Sequence, residues 1–137
     1  MNQSFARAVL VGMSLLFVWG IVCTLYGNRY RSLAPSFQRY CAQMTLYWGI
    51  INTILGAVAI VTVLLAWDKY SGDVMTQQRA KHIFKINAGL DVVYMGIGVA
   101  TAYAGMAISD RRRGFGLAIV IQGAVLLMLD GILGTIG

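Results

Sequence analysis

Long apolar runs separated by short polar segments dominate this chain. No charge stands between Arg7 and Arg29 or between Arg39 and Asp68. Asp91 is the one charge between Lys85 and Asp110, and Asp130 is the one charge after Arg113. Each gap reaches the ~20 residues that an α-helix needs to cross a bilayer core. The apolar residues run continuously instead of alternating, which argues against barrel strands. The pattern predicts an all-α polytopic membrane protein with four transmembrane helices in an up-down bundle. One membrane domain is expected over residues 1–137, with spans at 6–27, 42–67, 84–108 and 115–136. The second run is long for one crossing and is expected to tilt or to begin in the interface.

Composition agrees. Hydrophobic residues make up 58% of the chain and charged residues 12%, against about 25% charged in a soluble domain; mean hydropathy is +0.70. Arg7 ahead of an apolar run resembles a signal peptide, but the run ends LYGNRY with no small-x-small cleavage pattern. Val22 is too bulky before Cys23 for a lipid-modified cysteine. Residues 6–27 are therefore expected to remain as a span.

The net charge of +6 could point to nucleic acid. The basic residues lie in short segments flanking apolar runs, however, which is the distribution of a membrane protein meeting anionic headgroups. Membrane lipids are the expected partners, and nucleic acid is not. Loops one and three hold six Lys or Arg and the opposite side five, too even a division to fix orientation. The third connection, SDRRR at 109–113, is expected to be tight, pairing spans three and four as an antiparallel hairpin. The second, DKYSGDVMTQQRAKH, reads as partly helical at the membrane surface. Cys23 and Cys41 form no CxxC and no metal spacing, so they read as small apolar fillers and no metal site or cofactor is expected.

The polar residues inside the spans change the picture. An Asp near the centre of a span costs about 2.5–3.5 kcal/mol on the insertion scale, so it is expected to face protein or water with partners. Asn87 and Asp91 are four apart on one helix face, continued by Tyr94, Gly98, Ala102 and Gly105. In span four, Gln122 and Asp130 share a side, with Gly116, Gly123, Gly131 and Gly134 as close-packing positions. Span two aligns Trp48, Asn52 and Gly56. In a hairpin turning near residues 110 and 111, Asp91 and Asp130 lie equally far from the turn, Asp91 ~12 Å into its span at 1.5 Å per residue. Two polar layers follow: Asp91, Asp130 and Asn87 in one, Gln122 and Asn52 in the other. Facing carboxylates cannot both stay ionised cheaply, so one shared proton is the expected state.

QMTLYWGIIN (43–52), INAGLDVVYM (86–95) and GFGLAIVIQGAVLLMLD (114–130) resemble three motifs of a family of small bacterial four-span membrane proteins of unknown function. Asn87, Ala88, Gly89, Leu90, Asp91, Gly116, Gln122, Gly123 and Asp130 match its pattern, over roughly residues 39–133. Span two departs from it. The family is richer in Asn there and carries a His before the Gln-Met pair, where this chain has Ala42, Thr45 and Gly49; Gln43, Trp48 and Asn52 agree. The resemblance implies the four-span fold, a bacterial inner-membrane location and the polar face, and no activity.

These residues lead to two functional expectations. One is transport or binding of a cation, a proton or a small polar or lipid-like ligand, with Asp91, Asp130, Asn87, Asn52, Gln122, Tyr94 and Trp48 as the polar core. Four short spans enclose little volume, so a pore would form between copies of a homo-oligomer. The alternative is a structural or accessory membrane subunit whose polar residues specify helix pairing. An enzyme is less favoured: HExxH, GxSxG and a Ser–His–Asp order are all missing, and no catalytic residue is assigned.

Overall fold

The computed structural model of the protein describes residues 3–105 and 110–135. It contains five helices: α1 (Gln3–Tyr30), α2 (Phe37–Leu65), α3 (Trp67–Gly72), α4 (Val74–Gly105) and α5 (Asp110–Thr135). All except α3 are long and apolar enough to cross a membrane, arranged as a bundle. Among the described residues there is no strand.

Each expected span overlaps one of these helices over most of its length, and the differences are at the ends. α2 begins at Phe37 because Ser36 caps it: the Ser36 hydroxyl accepts from the Arg39 N–H at 3.3 Å. α2 stops at Leu65, not at 67, since Ala66 leaves the helical region (φ −112°, ψ 31°) and its carbonyl starts the short α3. α4 starts ten residues before the expected 84. TQQRAKH holds no glycine or proline to stop it, so the helix continues as one rod of about 48 Å. The expected third connection falls partly outside the described residues at 109, as do positions 106–108 of the third span and 136 of the fourth. From Asp110 onward that connection is helical, so Arg111, Arg112 and Arg113 stand in the first turn of α5. There Arg113 pairs with Asp110 at 3.7 Å and lies 5.3 Å from the Phe37 ring, joining the start of α5 to the start of α2.

Two antiparallel hairpins make up the bundle. α1 and α2 approach through glycines. A Cβ on Gly20 would stand 2.5 Å from the Thr53 nitrogen, and one on Gly49 2.5 Å from the Thr24 nitrogen. The contact is reciprocal because GIVCT (20–24) and GIINT (49–53) place Gly and Thr four apart on both helices. Each threonine hydroxyl donates to the carbonyl of its own glycine at 2.7 Å, which keeps that polar group satisfied in the seam. α4 and α5 pair in the same manner, Gly98 against Val120, Gly116 against Ala102 and Gly123 against Met95. Without a hydrophobic drive in lipid, such backbone approach is what lets dispersion hold helices together. Gly131, expected to pack, meets nothing.

The hairpins join through α2 and α5, which run parallel: Gly114 sits on the backbone of Phe37 and Cys41, and Gln122 reaches Asn52. At the α3 end, Phe5, Val9, Met13 and Leu16 of α1 form a core with Val63 and Leu133. α4 packs along α5 and stands away from α1 and α2 over most of its length. Near its start, Lys81 Nζ lies 5.3 Å above the Phe5 ring. Between these points a recess remains.

Candidate functional site

The recess has a volume of about 360 Å³ and is lined by all four long helices. α1 contributes Met13 and Leu16; α2 contributes Trp48, Leu55 and Ala59; α4 contributes Phe84, Asn87, Leu90, Asp91 and Tyr94; α5 contributes Leu126 and Asp130. Five of the seven residues singled out from sequence therefore share one cavity: Asp91, Asp130, Asn87, Tyr94 and Trp48. The walls are otherwise hydrocarbon.

Asp91 and Asp130 are brought together by the α4–α5 hairpin, and their carboxyl groups interact directly. Asp91 is 7% exposed, and its Oδ2 is buried with no hydrogen-bond partner. Among the described residues neither acid has an ion-pair partner. Lys85, the nearest cation in sequence, lies instead along Gly134. Trp48 of α2 meets Tyr94 of α4 edge to face, with ring centroids 5.0 Å apart, so the aromatic pair spans the gap between the hairpins.

The other two residues belong elsewhere. Asn52 is fully buried and Gln122 is 2% exposed. The Asn52 amide donates to Gln122 Oε1 at 2.9 Å. Gln122 Oε1 also accepts from the Trp19 indole N–H at 2.9 Å, and Gln122 Nε2 donates to Cys23 Sγ at 3.3 Å. This knot ties α1, α2 and α5, leaves Asn52 Oδ1 buried without a hydrogen-bond partner, and does not line the recess.

Trp19 and Cys23 were not among the residues singled out for the polar core. Cys23 is buried as a filler would be, yet its sulfur also receives an amide proton. Their signal was present: an indole N–H deep in a span needs an acceptor, and Cys23 lies four residues further along the same face. His82 is exposed. Among the described residues no group of three His, Cys, Asp or Glu could hold a metal ion.

In chemical terms the recess offers two acids and one amide against an apolar wall, with an aromatic pair beside them. It has oxygen acceptors for a positive charge and no basic group to receive an anion. No curated protein and no solved structure matches the chain. A family model does match, over residues 15–131, and the chain belongs to that family, the family of unknown function DUF6992.

Proposed function

We propose that this is an integral membrane protein, of a bacterial inner membrane, that binds a cation in the recess between its two hairpins, as one step of uptake or transfer. The observation that carries the proposal is the Asp91 Oδ2 atom, buried without a hydrogen-bond partner against Asp130 in a cavity large enough for a ligand. Buried polar groups are normally satisfied, and an intramembrane acid is costly. A bound cation supplies the missing partner and neutralises the pair. The recess lies within one chain, so binding requires no second copy, and surrounding lipid closes its open side.

The accessory role is supported by a different set of residues. The Gln122 knot is an interhelical lock and accounts for Asn52 and Gln122 without any ligand.

Thermal unfolding of the purified protein tests the proposal, with sodium chloride, magnesium chloride or tetramethylammonium chloride added at constant ionic strength. At least one of these cations is expected to raise the melting temperature of the native protein, and Asp91→Asn and Asp130→Asn to abolish that rise. Equal shifts in the native and variant proteins would remove the site.

A further inference from the structure

The walls around the acid pair narrow the kind of cation. A hard metal ion takes six or more oxygen ligands, whereas the recess presents the carboxyls of Asp91 and Asp130 and the amide of Asn87 amid hydrocarbon. That wall suits a cation carrying its own apolar surface. Trp48 and Tyr94, held edge to face at 5.0 Å, border the same cavity as Asp91. An aromatic face attracts an ammonium within ~6 Å of its centroid, and more strongly where water is excluded.

A second hollow of about 210 Å³, lined by Val9, Val63 and Ile83 among others, shares Met13, Ala59 and Phe84 with the recess. The two hollows adjoin at these three side chains, the acids lining one and an apolar wall toward α3 lining the other.

We infer that the ligand is an organic ammonium with an apolar body, its charged nitrogen set against Asp91 and Asp130 beside the Trp48–Tyr94 pair and its hydrocarbon part along the groove toward Val9, Val63 and Ile83. This rests on the cation-binding reading and specifies its ligand class. Trp48 then acts as a specificity-determining residue, favouring substituted ammonium over inorganic ions, which have no alkyl surface to lay on the ring.

The test is thermal unfolding and equilibrium binding of the full chain in nanodiscs, with three probes: benzyltrimethylammonium, its uncharged carbon isostere neopentylbenzene, and the chlorides of sodium, potassium and magnesium. Benzyltrimethylammonium is expected to bind and stabilise saturably, while the isostere and the inorganic salts do not. Asp91→Asn is expected to abolish binding, and Trp48→Leu to weaken it roughly thirtyfold, the scale of a desolvated cation–aromatic contact. Binding of neopentylbenzene as tight as that of benzyltrimethylammonium would reduce the groove to a hydrophobic slot and overturn the inference. Stabilisation by an inorganic cation alone, lost in Asp91→Asn, would overturn the ligand class and leave the cation site standing. No Asp91-dependent response to any probe would overturn both.

Discussion

The indole N–H of Trp19 donates to Oε1 of Gln122 at 2.9 Å, joining residues 103 apart in the chain. The same oxygen takes the Asn52 amide, so one side chain of α5 holds α1 and α2 at once. Gln122→Leu leaves both donors buried and unpaired, a loss of about 1–3 kcal/mol for each stranded group. Trp19→Phe costs less, because Gln122 keeps Asn52. Unfolding of the two single variants and the double variant in detergent is expected to show non-additive losses, with Gln122→Leu the larger. Additive effects would mean that Trp19 and Gln122 act separately.

Glycine positions divide into two classes by what a methyl group would meet. At Gly49 it would run into the Thr24 backbone nitrogen at 2.5 Å, which a rotamer change cannot relieve. Gly49→Val is expected to destabilise by at least about 1–3 kcal/mol, the range of overpacking. At Gly96 and Gly131 the space is open. Gly96→Ala and Gly131→Ala are expected to be neutral or to stabilise by about 0.5–1 kcal/mol, since alanine loses less backbone freedom in a helix. Melting temperatures of the three variants decide it.

The layers of polar residues were legible in the chain because charge and amide positions stand out against hydrocarbon and 1.5 Å per residue converts them to depth. That arithmetic placed Asp91 beside Asp130 and Asn52 beside Gln122. It did not reveal that the two layers differ in kind, one lining a cavity and one hydrogen-bonded across three helices. Cavity shape depends on how far α4 stands from α1 and α2, and no local pattern encodes that distance. Trp19 was hidden because an indole inside an apolar run looks like one more hydrophobic residue. Gly20 and Gly49 were hidden because their meaning lies in the recurrence of Gly-Ile-x-x-Thr on two helices, not in either segment alone. The second connection was expected to be partly helical and it is, but that its helix runs unbroken into α4 was not legible, because a membrane-span estimate follows hydropathy whereas the helix follows propensity.

Asp73 caps α4 outside the membrane. Its Oδ2 accepts from the Thr76 hydroxyl at 2.7 Å and its Oδ1 from the Met75 N–H at 3.2 Å. The Thr76 hydroxyl first, then the backbone N–H groups of Met75 and Thr76, hold the Asp73 carboxyl below its usual range. A lowered value means that the stabilising contribution is present above the unfolded-state pKa and is lost as pH falls through the folded one. The protection of the Met75, Thr76 and Gln77 amides relative to intrinsic exchange is therefore expected to fall under strongly acidic conditions and to stay constant around neutrality. Asp73→Asn keeps a capping oxygen and is expected to remove the pH dependence while retaining most of the protection. Asp73→Ala is expected to speed exchange at every pH.

Asp91 separates a binding role from a packing role by its effect on stability alone. A residue retained to hold helices together is costly to remove, as Gln122 is expected to be. A residue retained to receive a ligand is a liability in the empty protein, since a central Asp costs about 2.5–3.5 kcal/mol to place in a span. Asp91→Leu and Asp91→Asn are then expected to leave the unliganded protein as stable as the native one or to stabilise it by about 1 kcal/mol or more, while cation binding disappears. Such a trade of stability for function is usual at binding sites. Unfolding of the apo variants at neutral pH is the measurement. A loss above about 1 kcal/mol in Asp91→Asn, matching that of Gln122→Leu, would assign Asp91 to helix pairing and leave the cavity without its reason to exist.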